Sequence, residues 1–210
     1  MTEAARNSHE SLMADILQCN ACRLRLTRNN AVLYRGPVPC PIMLVGEAPG
    51  SQEDRFGKPF VGPSGQVLNR LLSRAGITET DVYLCNVMKC RPPANRNPTE
   101  TEIRCCRPWL IEQTRLVRPN VIVAMGEIAT VALTATRGPM GVLLDQGDLS
   151  CFFCEDIPVI PMYHPAYLLR RLGDGAAAPI FRDTIDRLTR AWELATYGTK
   201  RGSAIPIPRP

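Results

Sequence analysis

The chain has 210 residues, 45% of them apolar, and a formal net charge of +5. That length suits one ordinary domain with a sizeable core, and no apolar run approaches the ~20 residues that span a bilayer. Residues 1–18 set Glu3, Glu10 and Asp15 among apolar neighbours; with neither a basic start nor an apolar core, they predict no signal peptide and a cytoplasmic protein.

In chain order, the first apolar run, 42–46, reads as a buried strand. Residues 66–75 then carry Val67, Leu68, Leu71 and Leu72 on one helical face. A second strand is expected at 82–87, followed by a helix at 99–117 with Ile103, Cys106, Leu110, Thr114 and Val117 in register and Thr99 as its N-cap. A third strand at 120–125 leads to a helix at 127–133. Residues 137–157 read as a hairpin with Gly141 and Gly147 near its turns, before a fourth strand at 158–163 and a helix at 179–194. Residues 1–197 are expected to form a single domain, and 198–210, basic and rich in proline, an extended tail. Short apolar strands alternating with helices predict a parallel sheet covered on both faces, with ligands beyond the carboxyl ends of its strands. All four strands run into residues with chemistry: Glu47, Asn86, Gly126 and His164.

Gly46-Glu47-Ala48-Pro49-Gly50 is a turn that displays its backbone and a carboxylate, and is too short for a Walker-type phosphate loop. The loop from Gly57 to Gly65 precedes a helix that Ser64 is placed to open. Phe60, an aromatic inside that Gly/Pro loop, either packs in the core or offers a face to a flat base. His164, one of two histidines, begins His-Pro-Ala-Tyr-Leu-Leu-Arg at a strand end where ligands gather. Lys89, Arg91, Arg96, Arg104 and Arg107 crowd the stretch between Cys85 and Pro108 against only Glu100 and Glu102, which suits a polyanionic partner. Nine cysteines in a cytoplasmic chain point to metal or catalysis rather than a disulfide framework. Cys19-x2-Cys22 is one half-site, Cys90 and Cys106 a second pair with fifteen residues between them, and Cys151-x2-Cys154 a rival. Spacing alone leaves zinc and an iron–sulfur cluster both open.

Taken together these segments resemble the family-4, iron–sulfur uracil-DNA glycosylases. The ordered set GEAPG-x2-ED, GKPFVG, N-x2-KCRPP-x-NRNPT, CRPWL and HPAYLLR is specific, and the match runs from Cys19 to Arg170, about 150 residues. The resemblance implies an α/β fold, a three-layer α/β/α sandwich around a four-stranded parallel sheet, with a uracil pocket at its carboxyl edge. It implies a [4Fe–4S] cluster on Cys19, Cys22, Cys90 and Cys106, with Cys105 one position out of register and Cys151 and Cys154 left as packed or surface thiols. It implies uracil contacts from Glu47, Ala48, Pro49, Phe60, Asn86 and His164, of which Glu47 and His164 are catalytic. DNA contacts are expected from Ser64, Lys89, Arg91, Arg96 and Arg170. Relatives that link covalently to DNA use a histidine after the second strand; residues 88–93 contain none, so hydrolysis is expected.

The implied activity is excision of uracil from single- or double-stranded DNA by a monomeric enzyme of base-excision repair, acting at the nucleoid and away from membranes. The chemistry agrees: a donor at uracil O2 stabilises the leaving anion, and a carboxylate under the sugar stabilises its cationic character and orients water. One alternative is a glycosylase of this fold for hypoxanthine. Another is a non-catalytic, metal-stapled DNA-binding module, against which the intact Glu47, Asn86 and His164 speak. A thiol redox protein is disfavoured because neither Cys-x2-Cys pair opens a helix after a strand.

Overall fold

The computed structural model describes residues 3–154 and 157–198, with side chains from residue 8 onward. The four apolar runs become β1 (Ile42–Gly46), β2 (Val82–Asn86), β3 (Val121–Met125) and β5 (Pro158–Met162); a two-residue β4 (Leu149–Ser150) precedes the last. The sheet order is β2-β1-β3-β5-β4. The first four neighbours pair in parallel, with Ile42 opposite both Val82 and Val121, and Ile122 opposite Val159. β4 pairs antiparallel to β5 and adds a fifth strand to the four expected.

Successive strand residues point to opposite faces, and both faces are buried. Ile42, Leu44, Val121, Val123 and Ile160 pack with α3 (Pro63–Arg74), α7 (Pro165–Leu169) and α8 (Ala178–Tyr197). Met43, Val45, Tyr83, Cys85 and Ile122 pack on the other face with α4 (Glu100–Val117) and α5 (Glu127–Thr134). An N-terminal helix, α1 (Glu3–Gln18), lays Leu12, Met13 and Ile16 beside Trp109 and Leu116 of α4. The result is three layers, α/β/α. Among the described residues no helix is long and apolar enough to cross a membrane.

Thr99 caps α4 as expected: its side chain accepts from the Glu102 N–H while the Glu102 carboxylate accepts from the Thr99 N–H. Ser64 does not open α3; Gly62 is the N-cap and Pro63 the first helical residue, as suits a proline that has no N–H to satisfy. The expected hairpin at 137–157 is also corrected. Gly141 lies inside a short helix, α6 (Met140–Asp145), and only Gly147, at φ +72°, turns the chain into β4. Three further segments not read as helices, α1, α2 (Ser51–Phe56) and α7, complete the set. Gly198 caps α8, and the rest of the tail expected at 198–210 lies outside the described residues.

Candidate active site

β1, β2, β3 and β5 end at the same edge, and the chain leaves β1 for β2 on one side before returning to β3 on the other. Ligands gather at such a reversal. A pocket of about 410 Å³ opens there, lined by Glu47, Ala48, Pro49, Phe60, Asn86 and His164 among others. All six residues expected from the sequence to touch a base therefore share one cavity.

The backbone holds them closely. Val87 N–H donates to the Gly46 carbonyl at 2.8 Å and Met88 N–H to the Glu47 carbonyl at 2.9 Å, so β1 and β2 stay zipped past Asn86. A methyl group on Gly46 would lie 2.5 Å from Asn86 Oδ1 and 2.6 Å from Phe60 Cζ; only glycine lets the amide and the ring converge. Phe60 has φ +54°, left-handed backbone that is costly for an aromatic residue. The Arg35 guanidinium holds it there, donating to the Phe60 carbonyl at 2.8 Å. The Phe60 ring sits 6.4 Å from the His164 imidazole.

His164 caps α7, its Nδ1 accepting from the Ala166 N–H at 3.1 Å. In the neutral ring that leaves the proton on Nε2. Loss of surrounding water, with the nearby Arg170 charge, lowers its pKa to about 4, so the neutral donor persists at ordinary pH. Burial pushes the Glu47 carboxyl above its usual range. Asn86 is 2% exposed, and its Oδ1 has no hydrogen-bond partner among the described residues.

Ser64, Arg96 and Arg170 also line the pocket. Arg96 is not a free cation: it grips Glu102 with two nitrogens at 2.9 and 2.7 Å, and this pairing is the main reason the Glu102 pKa falls to about 2. Arg91 lies outside the lining and braces the loop, donating to Asn95 Oδ1 at 2.7 Å. Lys89 is a correction. It is 1% exposed and its Nζ donates inward to the Asn86 carbonyl at 2.5 Å, so it cannot serve as a surface contact for DNA. A run of basic residues gives the sign of a segment but not which side chain turns inward. Sequence reasoning also missed Glu53, Asn95 and Asn97 in the lining. Glu53 had a signal, its place in GEAPG-x2-ED; its carboxylate reaches back to accept the Gly62 N–H at 2.7 Å.

The cysteines form a second assembly on the α4 face. Cys19 follows α1, Cys22 precedes a short 3-10 turn, Cys90 follows β2, and Cys106 lies in α4. Cys90 and Cys106 are buried in one cluster with Cys22 against it, and each of those two lies within Coulomb range of Cys19. Three sulfurs receive N–H donors: Trp109 Nε1 on Cys19 at 3.3 Å, Arg28 on Cys90 at 3.1 Å, and the Lys89 backbone on Cys106 at 3.2 Å. Cys105 is half-buried and comes near Cys22. Among the described residues no three such ligands converge as they would on a single ion. Burial pushes the Cys106 thiol up to about 12; a cationic centre is what would make it a thiolate. The donor set fits an iron–sulfur cluster. Cys151 is buried in the same core with Cys154 packed against it, thiol to thiol.

The model of the uracil DNA glycosylase superfamily matches residues 33–193. A type-4 uracil-DNA glycosylase of Thermotoga maritima is 42% identical over 164 residues, 74% of this chain and 80% of that protein. One from Pyrobaculum aerophilum is 40% identical over 160 residues, covering 74% and 82%. A type-5 uracil-DNA glycosylase of Thermus thermophilus is 34% identical over 161 residues, covering 61% and 73%.

Proposed function

Because the chain belongs to the uracil-DNA glycosylase superfamily, and within it to the type-4 enzymes, we propose that it excises uracil from DNA by hydrolysing the bond between uracil N1 and the deoxyribose. The observation that carries this reading is the orphaned Asn86 Oδ1. A buried acceptor left without a partner costs roughly 1–3 kcal/mol. Uracil N3–H supplies the missing donor, while the amide nitrogen donates to O4. Cytosine presents an acceptor at N3 and a donor at C4, so it leaves both groups mismatched.

The remaining residues divide the chemistry. The uracil must be flipped from the stack to enter such a pocket, with Phe60 against its face and the Ala48–Pro49 backbone at its edge. His164 donates through Nε2 to uracil O2 as negative charge develops on the leaving base. Glu47 lies where a carboxylate stabilises the cationic sugar and aligns a water for attack. Ser64, Arg96 and Arg170 at the pocket rim meet the flanking backbone of the strand.

Cys19, Cys22, Cys90 and Cys106 would hold a [4Fe–4S] cluster. When bound, it supplies a rigid tie between the end of α1, the loop after β2 and α4. The three N–H donors on its ligand sulfurs support that assignment. The enzyme acts as a monomer at the nucleoid.

The test is incubation with an end-labelled oligonucleotide bearing one uracil, followed by alkali. Breakage at the uracil, and none when thymine replaces it, is expected. An uncut uracil strand, treated with protein that carries its full iron, would overturn the proposal.

A further inference from the structure

Lys89 has no part in the reaction as described, yet it is among the largest fully buried side chains of the molecule. An ammonium so placed needs both acceptors and counter-charge. Among the described residues no carboxylate lies within ion-pair distance of it; the acceptor its Nζ reaches is the backbone carbonyl of Asn86, at 2.5 Å. Its neighbours in Coulomb range are the sulfurs of Cys85 and Cys106. Its own backbone is fixed at both ends: the N–H donates to Cys106 Sγ at 3.2 Å and the carbonyl accepts from Val32 N–H at 2.7 Å. The next residue is Cys90. Lys89 therefore stands between the thiols and the residue whose amide faces the pocket.

We propose that Lys89 is a positioning residue: its buried ammonium, held beside the sulfur of Cys106, fixes the Asn86 backbone and so aims the Asn86 amide at the base. The counter-charge that no carboxylate provides comes from the thiolate ligands. The amide that reads the base and the thiols that hold the cluster are joined by one side chain and its hydrogen bond. This rests on the function proposed above and gives the cysteine assembly a role in recognition as well as in folding.

The experiment compares the iron-loaded wild type with Lys89→Met, which keeps the length and removes the charge and the donor, and Lys89→Gln, which keeps a donor without the charge. Four quantities are read: iron content, cluster reduction potential, affinity for undamaged duplex with its salt dependence, and single-turnover excision of uracil. Lys89→Met should keep its iron and its duplex affinity with an unchanged salt slope. Its potential should move to more negative values, since a nearby positive charge that favours the reduced cluster is gone. Excision should fall about tenfold to a hundredfold, the loss that a displacement near 1 Å brings in a preorganised site.

Undiminished excision by iron-loaded Lys89→Met, or an unmoved potential, would overturn the assignment. So would a flattened salt slope, which would return Lys89 to the DNA surface. Loss of iron or of folding in both variants would make Lys89 a staple of the fold and would overturn it as well. Failure of the underlying reading is distinguishable, because it would show in the wild type as an absence of uracil excision.

Discussion

Two groups at the pocket have opposite electrostatic fates. Burial raises Glu47 and lowers His164, to about 4, so near neutrality one is an anion with a raised proton affinity and the other an uncharged donor. The excision rate should therefore fall on the acid side through a pKa above the usual glutamate value, and Glu47→Gln should remove that limb along with most of the activity. No limb should appear near 6.5, the ordinary histidine value. A pH profile of single-turnover rates checks both statements, and a limb at 6.5 that disappears in His164→Asn would contradict the second. Linkage has the matching sign: as pH falls from 6.5 towards 4 the unfolded chain takes up a proton that folded His164 refuses, so stability is lost in that window. At this scale the sequence was legible where a motif fixes a residue at a strand end, as with Glu47, Asn86 and His164. It was illegible where a side chain's direction decides its role. Lys89 reads as one more cation in a basic run, yet it lies just past the continued pairing of β2 with β1 and is buried.

The element that organises the site's outer wall is the start of α4. The Thr99–Glu102 capping box opens the helix, and Glu102 at the same time holds Arg96 at the pocket. Thr99→Ala should cost ~1 kcal/mol, read as a lower thermal midpoint, with uracil excision little changed. Glu102→Gln should do more, since it weakens the cap and releases the Arg96 guanidinium together. Glu102 contributes stability that is present above its unfolded pKa and lost as pH falls towards about 2; the difference between wild type and Glu102→Gln should shrink on acidification. A constant difference would mean that the pairing is not what holds the cap. Long elements were readable because their apolar residues repeat over several turns, as Leu68, Leu71 and Leu72 do in α3. α2, α6 and α7 span only five or six residues, too short for a period to declare itself. α1 buries a narrow stripe, Leu12, Met13 and Ile16, interrupted by Asp15, and such a stripe is a weak signal without its partner α4.

Across the whole molecule, the sheet brings strand ends that are far apart in sequence to one edge, and the four cysteines proposed to hold the cluster lie just beyond α1, in the loop after β2 and in α4. Protein purified without oxygen should be brown, with roughly four irons per chain. Cys106→Ser should lose the iron and much of the fold, whereas Cys105→Ser and Cys151→Ser should retain both. Stoichiometric zinc in a colourless protein would contradict the cluster, and iron loss confined to Cys105→Ser would move the ligand by one residue. The proposed reading of the uracil edge by the Asn86 amide is open to direct test. Asn86→Asp keeps the shape and, while ionised, replaces the donor towards O4 with an acceptor. Paired single-turnover assays on uracil and cytosine oligonucleotides, run on a variant shown by thermal melting to be folded, test it directly. Uracil excision should fall by about one to two powers of ten while cytosine gains relative to it. A folded Asn86→Asp enzyme with undiminished uracil excision would contradict it.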